Sequence, residues 1–472
     1  VAERWTQDKL KSWGVQNVRT ESFDFGRGWW IESAHVRMVA PRALELHSIP
    51  IAWTPATSGP LVAPIVVAPL RTEKDFETWK GKLGGKIVLT SWPEPPKDAT
   101  TPPFTRLGSA EVAKLNAYEE PVFDPETLQK RIERFQFRSK VDAFLAKEGA
   151  LASVIMSRTD GQLVHGEGYS YQVGATPKLP AVELGAEDYR RLTRLAKMSE
   201  VRLEIDSRVH FEDADHNAHN IFGDLPGKDA KAGYVMAGAH LDSWVAGDGA
   251  ADNGAGSAIV LEAARILANL HVQPKRTIRV VLWSGEEQGL LGSAAYIAQH
   301  LAKRPPPSDP AVAALGPYFG TDRYPVQPLP GYKELAAYFN VDNGSGRFRG
   351  IYAEGNLAVA PIFHDWLAPF DSMGAAGVVA QPTEGTDHEL MSRIGLPAFQ
   401  FIQDPLDYDS RVHHTDLDTV DHLRPDDLRQ AAVILATVLL DAANSEMPLP
   451  GKPVPTQPRL TDPFHYPEPS KP

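Results

Sequence analysis

In the second half of this chain, apolar runs at residues 234–239, 277–283 and 335–341 each lead into side chains able to hold a metal ion. The first runs into His240, the second into the adjacent Glu286 and Glu287, the third into Asp342. Between them, residues 256–270 carry Ile259, Val260, Ala263, Ile266 and Leu267 at helical spacing, and 425–443 reads as a long helix opened by Pro425. Strands alternating with helices imply a mixed, mostly parallel sheet with helices on both faces, an α/β fold. In such a sheet the crevice at the carboxyl ends of the strands is where ligands bind, so residues far apart in sequence are expected to converge there.

The first half has a different texture. Residues 2–13 form an amphipathic helix stopped by Gly14, and a helix is expected over 125–148 with Gly149 as its stop. Short apolar runs near 48–70, 86–92, 152–157, 181–184 and 201–205 alternate with Gly/Pro turns. The expected organisation is an α/β domain made from 1–47 and 206–446, interrupted by a smaller β-rich α+β domain at 48–205. Residues 305–330 read as a Pro-rich surface insertion, and 447–472 as an extended tail outside any core.

Composition removes several functions. There is no cysteine among the 472 residues, which excludes thiolate metal sites, cysteine nucleophiles and disulfides. The net charge of −12, with no basic stretch, argues against nucleic acid as a partner. No apolar run is long enough to span a membrane. The chain begins at Val1, and the expectation is that a leader has been removed.

Any metal must therefore be held by His, Asp and Glu. In Gly238-Ala239-His240-Leu241-Asp242, a neutral imidazole suits zinc, and Asp242 can orient it. In 249–256, small residues surround Asp252, whose two oxygens could bridge two ions; a loop turn and helix cap is the plainer reading of that residue. Two carboxylates straight after a buried strand are costly unless a positive charge neutralises one. Glu287 as ligand with Glu286 free to take a proton from metal-bound water satisfies this; an acidic first helical turn is the rival reading. Asp342 closes an apolar strand and could equally be a turn residue. Of His413 and His414, His414 is favoured because Asp418 lies four residues on and can position it. As a set, one His and one carboxylate per ion plus a shared carboxylate suit a dinuclear centre. Two zinc ions about 3.5–4 Å apart would acidify a bridging water.

These stretches, AGAHLDSW (237–244), GAADNGAG (249–256), PKRTIRVVLWSGEEQGLLGS (274–293), GTDHELMSRIGLPAF (385–399) and HHTDLDT (413–419), resemble metallopeptidase family 28. The wording is similar to its plasma glutamate carboxypeptidase-like (carboxypeptidase Q-like) branch. With NIFGDLPG (220–227) they span most of 206–446. The resemblance implies two Zn²⁺ per chain, one on His240 and Asp342, the other on Glu287 and His414, with Asp252 bridging. It implies Glu286 as the catalytic base, Asp242 as support for His240, and Asp387 and His388 near the active site. It also implies a protease-associated character for 48–205, a peptide substrate, and an extracellular or periplasmic location. A homodimer stays open.

The expected activity is thus a zinc-dependent exopeptidase, an aminopeptidase or a dipeptidase/carboxypeptidase. A related zinc amidohydrolase or glutaminyl cyclase-like enzyme is one alternative. A catalytically silent binding or receptor relative is another, disfavoured because every ligand position is filled. The 305–330 insertion lengthens the path from Glu287 to Asp342 and makes Asp342 the least secure ligand.

Overall fold

The computed structural model describes residues 1–97, 100, 102–117, 128–172, 174–307, 310–313, 316–318 and 323–457. They build two eight-stranded sheets. The first contains β1 (Gln16–Asp24), β2 (Asn217–Leu225), β3 (Tyr234–His240), β4 (Thr277–Trp283), β5 (Leu335–Asn340), β6 (Phe348–Tyr352), β7 (Gly377–Val379) and β8 (Ala398–Gln403). Their spatial order is β1-β2-β4-β3-β5-β8-β6-β7. The four central strands β4, β3, β5 and β8 are parallel, whereas β1–β2, β2–β4 and β8–β6 pair antiparallel. The sheet is mixed and mostly parallel, with helices on both faces.

The near-continuous apolar character of β3 follows from that double cover. Val235, Ala237 and Ala239 enter the core that also takes Leu10 of α1 (Ala2–Ser12), beneath α2 (Ala255–Asn269) and α3 (Pro425–Asn444). Tyr234 and Met236 point the other way, onto Tyr296, Leu390 and Met391. Gly238 is required by a close approach. A Cβ there would lie 2.6 Å from the Tyr338 hydroxyl and 2.9 Å from Trp283 Nε1. Those two groups share a 2.7 Å hydrogen bond donated by the indole.

The second sheet runs Leu44–Glu45, Gly28–Ala40, Arg202–Glu212, Leu61–Val67, Ile87–Leu89, Ala152–Met156, Ala181–Leu184, Ser48–Pro50. Gly28–Ala40 lies antiparallel to Arg202–Glu212 and sends Val36 and Met38 into this sheet's own core. The second sheet therefore reaches outside the 48–205 limits drawn from sequence. Of the helix expected over 125–148, Leu128–Lys147 is seen, and residues 118–127 lie outside the described residues.

Two Pro-rich expectations need correction. Within 305–330, Val326 is buried in a core, and Gln327–Pro328 pairs with Ala302–Lys303. In the tail, Leu449 is 6% exposed inside the main core, and the Lys452 N–H donates to the Gly395 carbonyl. Proline removes backbone donors but not apolar surface, so an extended Pro-rich segment can still lay its aliphatic side chains against the body. Residues 458–472 lie outside the described residues. No described helix is long and apolar enough to cross a membrane.

The block around the second sheet sends two arms onto the first. In one, Arg106 bridges Asp404 and Asp427, each at 2.8 Å, while Thr105 pairs with Leu406 and Val112 packs on Val379 and Ile402. The other arm, near residues 157–172, reaches the ends of the central strands. There Asp416 accepts the Val164 N–H at 3.2 Å and meets His47 Nε2 at 2.7 Å.

Candidate metal centre

The carboxyl ends of β3, β4 and β5 bring together His240, the Glu286–Glu287 turn and Asp342, as the strand-end argument requires. Asp252 and His414 arrive on loops. The asparagine next to Asp252 fastens its loop: Asn253 Nδ2 donates to the Val341 carbonyl at 2.9 Å, and its Oδ1 accepts the Gly256 N–H at 2.9 Å. Small residues are needed there, because a Cβ on Gly256 would lie 2.2 Å from both Asn253 Oδ1 and the Val341 carbonyl.

Asp252 lies between two imidazoles. Its Oδ1 is 3.1 Å from His240 Nε2, and its Oδ2 is 3.2 Å from His414 Nε2. On the His240 side, Asp342 Oδ1 stands 3.4 Å from the same ring nitrogen. On the other, Glu287 Oε2 stands 3.0 Å from His414 Nε2. All five candidate ligands therefore converge, Asp342 included, and the residues preceding β5 do not displace it. Glu286 Oε2 is 3.9 Å from His240 Nε2 and stays at the edge of this group. His413 also comes close, with Nε2 3.5 Å from Asp252 Oδ2, but its side chain is 44% exposed and its ring rests on Tyr408 and His414.

Several supports differ from expectation. Asp418 does not touch His414; its carboxylate accepts the backbone N–H groups of Ala251 (2.5 Å) and Asp252 (3.0 Å), fixing the Asp252 loop instead. The partner of His414 Nδ1 is Glu167 Oε1, at 2.7 Å, on the arm from the second block. His240 Nδ1 faces the backbone carbonyl of Asp242 at 2.9 Å, with the Asp242 carboxylate at 3.7 Å. That carboxylate accepts the N–H groups of Glu286 (3.2 Å) and Glu287 (3.3 Å), so it holds the acidic turn as well as the ring. Asp387 and His388 are fully buried. Asp387 accepts the Ser293 hydroxyl at 2.5 Å, and His388 Nε2 faces Glu354 at 3.2 Å.

Sequence reasoning missed Glu167 and Tyr408. Tyr408 hydrogen-bonds Asp252, and burial followed by the charges of Asp252, Asp342 and Glu287 pushes its phenol well above the ordinary range. Neither residue carries a local motif. Glu167, flanked by Gly166 and Gly168, lies 247 residues from its partner.

The charges are out of balance without a cation. Burial, then the Asp252 charge, pushes Glu287 up to about 8. Burial and the neighbouring carboxylates also hold Glu286 well above its usual range. Burial works against the His414 imidazolium, yet Asp252, Glu167 and Glu287 push it up to about 12. His240 is likewise held high, against its burial, by Asp342, Glu286 and Asp252. Both rings are thus pulled toward the protonated form, the positive charge that this nest of carboxylates favours. Glu287 Oε1 is buried and still has no hydrogen-bond partner. Cations placed among these atoms would satisfy that oxygen and let both rings act as neutral donors, so the residues fit a metal centre.

The centre opens on a cleft of about 450 Å³ walled by Phe135, Tyr169, Tyr171, Tyr318 and Tyr408. Phe135, Tyr169 and Tyr171 come from the second block.

Comparison with known proteins agrees with this architecture. The profile of Peptidase family M28 matches residues 220–439. Carboxypeptidase Q of Bos taurus is 29% identical over 369 residues, covering 77% of this chain and 68% of that protein. The Homo sapiens carboxypeptidase Q is 26% identical, with the same coverage. Among solved structures, a peptidase M28 precursor from Shewanella amazonensis superimposes with a TM-score of 0.65 at 25% identity, covering 97% of this chain and 90% of that one. BSAP, a zinc aminopeptidase from Bacillus subtilis, shares the fold with a TM-score of 0.58 at 19% identity, covering 94% and 89% of the two chains. With its strand-end nest of imidazoles and carboxylates, this chain carries a Peptidase family M28 region over residues 220–439 and is a hydrolase of the metallopeptidase class.

Proposed function

We propose that this chain is a zinc-dependent exopeptidase with two ions per chain, one on His240 and Asp342, the other on Glu287 and His414, sharing Asp252. The observation that carries the reading is Asp252, whose two oxygens face different imidazoles at 3.1 and 3.2 Å. An all-His/carboxylate donor set suits zinc. Zinc held there would polarise the scissile carbonyl and acidify the attacking water.

The rest is done by the chain. Glu286 takes a proton from the water as it adds to the carbonyl carbon, then gives that proton to the amine nitrogen as the C–N bond breaks. The Asp242 carboxylate, accepting the Glu286 and Glu287 N–H groups, keeps the base and the neighbouring ligand in fixed register. Tyr408 keeps its proton and offers a neutral hydroxyl beside Asp252. The arm carrying Glu167, Tyr169 and Tyr171 closes the cleft against bulk water, the covering role we assign to the second, protease-associated-like block.

The test is hydrolysis with metal analysis. Chelation should abolish cleavage of free peptides, and zinc should restore it at two equivalents per chain. Cleavage of N-acyl amino acids with no turnover of peptides would favour the amidohydrolase alternative and overturn the peptidase reading.

A further inference from the structure

We infer that a groove adjoining the metal cleft is a second substrate site. It takes the stretch of a longer peptide that lies beyond the residues at the scissile bond, and it favours acidic side chains there. This rests on the hydrolase reading above and adds to it the length and charge of the peptides cut best, whichever end is trimmed.

Volume and continuity carry the first half of the argument. The groove encloses about 960 Å³, against about 450 Å³ for the cleft. That is the upper end of the roughly 300–1,000 Å³ found for ligand sites. The two spaces meet at three places: Tyr171 lines both, Leu290 of the cleft precedes Leu291 of the groove, and Pro317 of the groove precedes Tyr318 of the cleft. The Tyr171 hydroxyl donates to the Gln288 carbonyl at 3.0 Å, which pins the ring as a post between them. Helical residues 291–298 present Leu291, Ala294, Ala295 and Ala298 to the groove, a single face at i, i+3, i+4 and i+7. Alanine at three of these four positions leaves the volume open, and the buried Leu390 and Ile394 give it an apolar floor. An extended chain that leaves the metal centre past Tyr171 enters this space.

Charge carries the second half. Lys303, Arg304 and Arg323 line the groove, and Asp24 is the one carboxylate on its wall among the described residues. Arg304 donates to the carbonyls of Arg323 (3.1 Å) and Arg393 (3.2 Å), and Arg323 to that of Pro305 (2.9 Å). Those bonds fix both guanidinium groups in place without opposing their charge. Asp or Glu side chains on the bound peptide would meet a net positive wall, whereas Lys would be repelled by it.

The experiment uses the zinc-loaded full chain with dialanine and three heptapeptides. Each heptapeptide has two alanines at either end and three Asp, three Ser or three Lys in the middle, so its charge lies away from both termini. For the first bond cut, KM should be about tenfold lower with Asp than with Ser and about tenfold higher with Lys, at similar kcat, the size of one charge-assisted contact. Lys303→Glu should shrink the preference for Asp over Lys. Ala298→Trp, which fills the groove without changing its charge, should shrink the advantage of the Ser heptapeptide over dialanine. A merely structural defect would instead depress all four substrates together. Binding of the Asp heptapeptide to the Glu286→Gln chain, followed by fluorescence anisotropy, should show the same charge preference without turnover and weaken as salt is added. Equal KM for the three heptapeptides, or a preference that neither variant moves, overturns the inference. Cleavage of dialanine alone overturns it too and leaves the hydrolase reading standing. No cleavage of any peptide, with zinc bound, sinks the hydrolase reading itself.

Discussion

The Glu167 carboxylate sits 2.7 Å from Nδ1 of His414, although one residue belongs to the second block and the other to a loop beside the first sheet. A carboxylate in that place fixes the ring's tautomer and aims Nε2 at Asp252 and Glu287. Glu167→Ala should therefore weaken zinc binding about 10- to 100-fold, with Glu167→Gln intermediate. Competition with a chromophoric chelator measures this, and an unchanged affinity would remove Glu167 from the centre.

Glu286, the proposed base, stands 3.9 Å from His240 Nε2. Glu286→Gln should keep the parent's metal content and a similar KM while kcat falls by about 10²- to 10⁴-fold, as for loss of a positioned base. Stoichiometry by elemental analysis, together with steady-state kinetics, separates this from loss of metal.

The protons that stand in for cations give a pH signature. Glu287, raised to about 8 by burial and Asp252, contributes stability to the metal-free fold that is complete below its ordinary 4.5 and lost as pH climbs to about 8. His414, raised to about 12, contributes stability that also declines upward from its ordinary 6.5. Both signs agree. Metal needs these groups without their protons, so it competes better as pH rises. The gain in Tm on adding zinc to chelator-treated protein should grow from pH 5.5 to 8.5, as calorimetry can follow, and a gain that shrinks contradicts the assignment.

Gly256→Ala probes the backbone beneath the centre. The added carbon would fall 2.2 Å from Asn253 Oδ1 and from the Val341 carbonyl. Relieving that overlap must move either Asp252 or the end of β5. A loss of about 1–3 kcal/mol in denaturant stability is expected, with reduced zinc occupancy. Arg429→Ala, at an exposed position of α3, should alter neither.

The central architecture was legible because strand-ending ligands and two-sided burial leave direct traces in residue order. His240, Glu287 and Asp342 could be placed from the apolar runs before them. Asp252 and His414 needed the set as a whole, since each has an ordinary loop reading. A four-residue spacing assigns Asp418 to His414, but the loop folds so that its carboxylate turns to the Ala251 and Asp252 amides instead. Glu167 was out of reach for another reason: its role exists only once two separately built sheets meet. The same holds for Gly28–Ala40, whose pairing with Arg202–Glu212 is a contact no local pattern announces.

Arg106 grips Asp404 and Asp427 on one flank, while Glu167 and the Val164 amide grip His414 and Asp416 on the other. A shortened version lacking the second block would keep all five proposed ligands in its sequence. It would nevertheless lose the staples that hold the His414 loop in place. The smallest competent unit is therefore the pair of sheets together, and wedging them apart is a way to disarm the protein without touching a ligand.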